Sequence, residues 1–265
     1  MNNKARLPFL GTMLMVLMNV ACQPKAPIPM VATVPKTEEV SPTNAPSATI
    51  VTVVPQPSAA SHVTGYEFPA AIDPASRYMF YLHGKIIEDV GLPAVSPDFG
   101  EYEYTAILKT LEGHGFAVIS EQRPKDTDAD AYALRVVEQV HTLLSAGVPA
   151  GNITVVGASK GAYIAATMSF LLHEPALNYV LIGTCHPDTV AQWKSGGFQF
   201  HGNVLTIRDV ADQEYSGSCE ELFRISEGKG LGRHEEIVLH VGTGHAILFK
   251  PLDDWVLPTV EWATE

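Results

Sequence analysis

From Thr64 to the C-terminus, apolar runs of four to six residues alternate with longer stretches of helical spacing. Runs that short can be buried on both faces as strands, while the longer stretches bury one face as helices. Strands are expected over 78–82, 116–120, 153–156, 179–182, 204–207 and 237–241. Helices are expected over 102–112, 131–144 and 162–172. In the second of these, Leu134, Val137, Val140 and Leu144 would form the apolar face. A last helix should run from Trp255 to Trp262 after Asp253 and Asp254, made irregular by Pro258. The fold class that follows is α/β, a mainly parallel sheet with helices on both faces.

The first 63 residues do not share this pattern. Lys4 and Arg6 precede an apolar run from Leu7 to Met18, broken by Pro8, Gly11 and Thr12, and Ala21 then precedes Cys22. The run is too short to span a bilayer and reads as an export signal over 1–22. Cys22 stands where the acylated cysteine stands in bacterial lipoprotein signals, although Asn19 replaces the aliphatic residue usual three places before it. That resemblance implies a lipid anchor at Cys22, and Gln23 after it points to the outer membrane. A plain signal cleaved near Ala21 is the alternative. Residues 23–63 carry eight prolines and no aromatic residue, so they are expected to form a flexible tether. The folded domain is then 64–265, placed in the periplasm and held to the envelope membrane.

Charge narrows the partners. The chain has 17 basic and 29 acidic residues, a net −12. Loss of Lys4 and Arg6 with the signal leaves 15 against 29, a net −14. Nucleic acid is excluded as a partner, since binding it needs a basic footprint. Cys185 and Cys219 are the only other cysteines. In an oxidising compartment they are expected to pair, adding roughly 3–4 kcal/mol by restricting the unfolded chain.

The pentad Gly157-Ala158-Ser159-Lys160-Gly161 follows the strand Ile-Thr-Val-Val and opens a helix. G-x-S-x-G between strand and helix lifts a serine above the sheet edge on a strained turn. The Lys160 N–H then lies at a helix N-terminus, where it can meet a developing oxyanion. The glycine spacing of a phosphate-binding loop is absent.

On these residues, 77–262 resemble the α/β-hydrolase family. The segment Tyr81-Leu82-His83-Gly84-Lys85 is similar to that family's oxyanion element. The resemblance implies an acid and then a histidine after the serine in chain order. His245, in the glycine-rich loop Val-Gly-Thr-Gly-His-Ala after the 237–241 strand, fits the histidine. Imidazole titrates near ~6.5, which suits a base at neutral pH. His240 is expected inside that strand, packed. For the acid, Asp212 fits a turn a few residues past the 204–207 strand better than Asp209, which could instead pair with Arg208 or cap a turn.

The implied activity is a serine hydrolase acting on a carboxylic ester or thioester through an acyl-enzyme, with no cofactor and no metal. The oxyanion would be held by backbone N–H groups of Lys160 and of the loop containing His83, Gly84 and Lys85, Lys85 foremost. Arg123 could bind a substrate carboxylate, or be tied internally to Glu121 or Glu88. Cys185-His186-Pro187-Asp188 has metal-like spacing but no second cluster to complete a site. Only 21 residues separate Ile182 from Val204. That leaves no room for a large lid, so the pocket should be open and shaped by 86–100 and 183–202. A serine peptidase, or an envelope lipoprotein using the fold only to bind, are the other readings. Oligomeric state is left open.

Overall fold

A computed structural model of the protein describes residues 64–265. The expected signal over 1–22, Cys22 and the tether over 23–63 lie outside the described residues. In chain order, β1 (Tyr78–Leu82) leads to a short helix α1 (Lys85–Val90) and a small hairpin, β2 (Val95–Ser96) and β3 (Gly100–Glu101). Then come α2 (Tyr104–Gly113), β4 (Ala117–Ile119), α3 (Ala129–Ser145), β5 (Ile153–Ala158) and α4 (Lys160–Leu172). The second half runs β6 (Asn178–Ile182), α5 (Pro187–Ser195), β7 (Gly202–Asp209), α6 (Glu220–Ser226), β8 (Leu231–Leu239) and α7 (Asp253–Thr264).

Six strands form one sheet in the order β4-β1-β5-β6-β7-β8, every pair parallel. Alternation along the strands sends side chains to two separate cores. Tyr78, Phe80 and Leu82 of β1 pack with Val136 and Val140 of α3, Ile164 and Met168 of α4, and Trp193 of α5. Met79 and Tyr81 face the other way, against Ile107, Leu108 and Leu111 of α2 and Trp255 and Trp262 of α7. Both faces of the sheet are thus covered, as the two-face-buried runs require. Trp255 and Trp262 fasten the last helix to the sheet.

Several elements depart from the sequence reading. β8 begins at Leu231, six residues before the expected start, because Arg233, His234, Glu235 and Glu236 mask a strand at the sheet edge. Edge strands commonly carry such charges, which discourage pairing with other chains. β8 also ends at Leu239, so His240 lies beyond the strand and is exposed, not packed. On α3 the buried face is Tyr132, Ala133, Val136, Val137, Val140 and Leu143, and Leu134 points outward, 54% exposed. Helices α1 and α6 are short and periodicity does not separate them from loop, whereas α5 is the ordinary connecting helix expected among the 21 residues between Ile182 and Val204.

Candidate active site

The pentad forms a sharp turn between β5 and α4. Ser159 has φ +53° and ψ −115°, a strained left-handed backbone for a residue with a Cβ. The turn is held from both sides. The Ser159 N–H donates to the Ile182 carbonyl at 2.9 Å, and the Ser159 carbonyl accepts from the Ala162 and Tyr163 N–H groups. The glycines are demanded by space. A Cβ on Gly161 would run into the Leu82 carbonyl, and one on Gly157 into the Gly161 carbonyl. These close approaches bring the start of α4 against the end of β1, and so bring the serine to the His83–Lys85 loop.

His245 sits on a short 3₁₀ helix, Gly244–Phe249, after β8. Its Nε2 lies 3.0 Å from Ser159 Oγ, and its Nδ1 lies 2.6 Å from Asp212 Oδ2. With a carboxylate at Nδ1, that nitrogen carries the proton and donates it to Asp212, which leaves Nε2 to accept from the serine hydroxyl. Both His245 and Asp212 are buried. Of the two aspartates weighed, Asp212 is the one at the imidazole.

Asp209 has a different task. Its Oδ1 accepts from the Ala211 N–H at 3.0 Å, and its Oδ2 from the Thr243 and Gly244 N–H groups at 2.9 and 3.2 Å. Burial alone would raise its pKa, but those N–H donors, with Gly242, together bring it below the usual carboxylate value. Asp209 therefore ties the turn that carries Asp212 to the loop that carries His245. It pairs with neither Arg208, which meets Glu236, nor any substrate-facing group. Its bond to the Ala211 N–H is the turn cap weighed for it from the sequence, whereas its bonds to residues 243 and 244 were not foreseen. The signal available was that two carboxylates three residues apart cannot both orient one imidazole.

The oxyanion element lies at the start of α1. A Cβ built on Gly84 would come within 3.8 Å of Ser159 Cβ, so the loop runs directly beside Ser159. Lys85 and Lys160 are the first residues of α1 and α4, and N–H groups at that position have no acceptor inside their helix. His83 supports the loop through its ring. Its Nε2 accepts the Arg123 N–H at 2.9 Å, so Nδ1 carries the proton and donates to the Gly84 carbonyl at 2.8 Å. Burial, and next the Arg123 guanidinium, lower its pKa to about 3. His83 is a neutral strut and not an oxyanion donor.

Arg123 is not placed to bind a substrate carboxylate, which corrects that expectation. Its side chain is fully buried, with Nε 2.5 Å from Glu88 Oε1, and a guanidinium N–H donates to the His83 carbonyl. Glu121 pairs with Arg135 instead. The lysine side chain of the pentad also turns inward. Lys160 Nζ lies 2.5 Å from Glu88 Oε2 and donates to the Thr127 carbonyl at 2.6 Å. Glu88 was legible only as one of two partners for Arg123.

Cys185 and Cys219 form a disulfide, with Cα atoms 5.4 Å apart. Cys185 also bridges in antiparallel fashion to Ser216, and the Gly217 N–H donates to the Thr184 carbonyl at 2.9 Å. The loop after β6 is thereby sewn to the acid-bearing loop after β7. His186 caps α5 and accepts from the Asp188 N–H, which accounts for the metal-like spacing. The walls at His245 are two aromatic rings the sequence did not single out: Phe99 of the hairpin at 5.9 Å and Tyr215 of the acid loop at 4.7 Å between centroids. The expected wall from 183–202 is only partly realised. Gly183 lies against the His245 ring, but Val190 and Trp193 of α5 are buried in the core beside α4. Ser159 and His245 line neither the cleft of about 580 Å³ beside α3 nor that of about 520 Å³ between α4 and α5.

Serine on a strand–turn–helix elbow after β5, acid after β7 and histidine after β8 stand in the chain order of that architecture. The chain has an α/β-hydrolase fold. Its sequence matches no family model and no curated protein. Solved structures similar to it include a Thermogutta terrifontis esterase with butyrate bound, at 16% identity and TM-score 0.48, covering 75% of this chain and 85% of that one. A second is an Agrobacterium tumefaciens protein of unknown function described as an α/β hydrolase, at 16% identity and TM-score 0.47, with 71% and 84% covered. A third is an esterase of Pyrococcus furiosus, at 15% identity and TM-score 0.44, with 72% and 83% covered.

Proposed function

We propose that this protein is a serine hydrolase that cleaves a small carboxylic ester or thioester through an acyl-enzyme intermediate. The observation that carries the reading is the continuous chain Ser159 Oγ–His245–Asp212, with links of 3.0 and 2.6 Å. As Ser159 Oγ attacks the acyl carbon, His245 Nε2 takes its proton, and Asp212 stabilises the imidazolium. The Lys160 and Lys85 N–H groups point their free donors at the tetrahedral oxyanion, each such donor lowering the barrier by ~3 kcal/mol. The imidazolium then protonates the leaving alcohol or thiol, and the acyl group stays on Ser159. Water, losing a proton to the same His245, attacks that ester and releases the acid. A half-buried serine, with Phe99 and Tyr215 flanking its histidine, suits an acyl group of modest size reached from solvent.

The reading also places the enzyme in the cell envelope, with an export signal over 1–22, a lipid on Cys22 and a tether over 23–63. Globomycin-sensitive processing and palmitate labelling lost in Cys22→Ala would support the anchor, and soluble, unlabelled protein would refute it. For the activity, p-nitrophenyl esters of rising chain length, with thioester and peptide substrates beside them, should show turnover on the ester or thioester and none in Ser159→Ala. Wild-type hydrolysis by Ser159→Ala would overturn the assignment, and turnover of peptides alone would make the protein a peptidase.

A further inference from the structure

Beneath the serine lies a buried ionic cluster that the proposed mechanism does not use. Its centre is Glu88 on α1, whose side chain is 0% exposed. One carboxylate oxygen meets Arg123 Nε at 2.5 Å and the other meets Lys160 Nζ at 2.5 Å. The three residues come from three different connections, after β1, β4 and β5. Arg123 in turn grips the oxyanion loop twice: its guanidinium donates to the His83 carbonyl and its backbone N–H to His83 Nε2. Two cations share a single fully buried carboxylate, and only Lys160 keeps some exposure. Such an arrangement is a poor way to gain stability, because desolvating the charges offsets most of their attraction. It is a good way to fix geometry, since each partner has one place to be.

What the cluster fixes is specific. Glu88 belongs to the helix whose first N–H is that of Lys85. Lys160 is the residue directly after the nucleophile, and its own N–H is the other oxyanion donor. One carboxylate therefore joins the two helix starts that must present both donors to one oxygen atom. Resting on the serine hydrolase reading above, we propose that Glu88 is a positioning residue of the oxyanion hole, setting the start of α1 against the start of α4 through Lys160 and Arg123. A displacement of the two donors by a fraction of an ångström weakens the tetrahedral intermediate while leaving ground-state binding nearly untouched.

The test is steady-state kinetics of the full chain on its best p-nitrophenyl ester, for Glu88→Gln, Lys160→Met and Lys160→Arg, each measured well below its own melting temperature. The active fraction is counted by fluorophosphonate titration. Glu88→Gln and Lys160→Met should each lower kcat per active site by about tenfold or more with KM within about twofold. Lys160→Arg, which keeps a cation for Glu88, should recover most of kcat. The Glu88→Gln/Lys160→Met double variant should be no slower than the worse single one, since both break the same link. If Glu88→Gln does not fold, Lys160→Met carries the test, as that side chain is 19% exposed. Wild-type kcat per active site in the folded variants, or a loss confined to the melting temperature, would overturn the positioning role. A wild-type protein that neither turns over any ester nor reacts with the probe would instead overturn the hydrolase reading, and the proposal with it.

Discussion

Ser159 stands on a turn whose neighbours leave no room for alternatives, with Gly157 and Gly161 pressed against backbone and Glu88 buried beneath. His245 is buried just after an exposed glycine-rich loop, with the exposed ring of Tyr215 against its imidazole. The serine side is fixed by close packing within one pentad and, beneath it, by a buried carboxylate that ties three connections together. The histidine side is fixed by hydrogen bonds to Asp209 and by a disulfide, across connections that run from 183 to 244. Packing of the first kind has no intermediate states, so damage there should be lost structure. Tethers of the second kind can be cut one at a time, so damage there should be graded loss of chemistry on an intact fold.

The largest effect that could break this contrast is on the serine side. Gly161→Ala should cost at least ~4 kcal/mol, because the added methyl collides with backbone that cannot move aside. Denaturant unfolding measures it, and a variant near wild-type stability would show that the elbow is slacker than described. Next is Asp212→Asn, which should cut ester turnover by about 10³–10⁴-fold by favouring the wrong imidazole tautomer, while the melting temperature stays close to that of wild type. Collapse of the fold in this variant would erase the distinction between the two sides. A smaller effect is expected for Cys185→Ala with Cys219→Ala. Stability should fall by roughly 2–4 kcal/mol, and activity should drop several-fold while the domain stays folded. Unchanged activity would mean that the disulfide does not hold Asp212.

The smallest effect is a slope. His83 is held neutral down to about 3 in the fold, whereas the unfolded chain takes up its proton near 6.5. Between those values the unfolded state binds a proton that the folded state refuses, so stability falls as pH drops from 6.5 towards 3. His83→Asn should start less stable at pH 7 and lose less between pH 7 and 5. Parallel slopes for the two proteins would show that His83 is not the group responsible.

The same contrast explains what could be read in advance. The turn that carries the serine is local in sequence: a five-residue pentad between an apolar strand and a helix carries its own geometry, and Gly157 and Gly161 stand at the positions that geometry demands. The strands around it are apolar on both faces and equally legible. The histidine side is assembled over a distance. Loop placement favoured Asp212 over Asp209 and allowed Asp209 a turn cap, but nothing in the sequence showed that Asp209 would also reach the N–H groups of residues 243 and 244. Phe99 and Tyr215 come from the turn of a small hairpin and from a loop, where no periodicity exists to direct a side chain. Arg123 read ambiguously because its partner Glu88 sits in a six-residue helix with too few turns to show a buried face. β8 hid its first half because an edge strand with charged, half-exposed residues resembles a loop.

The central claim is that Ser159 is activated by His245 and Asp212. Mass spectrometry of the intact protein after brief exposure to a fluorophosphonate probe tests it most directly. A single adduct, mapped to Ser159, formed fast in wild type and slowed at least about a thousandfold in both His245→Ala and Asp212→Asn, is the expected result. An unlabelled Ser159 in folded wild-type protein, or equal labelling rates in all three proteins, would contradict it.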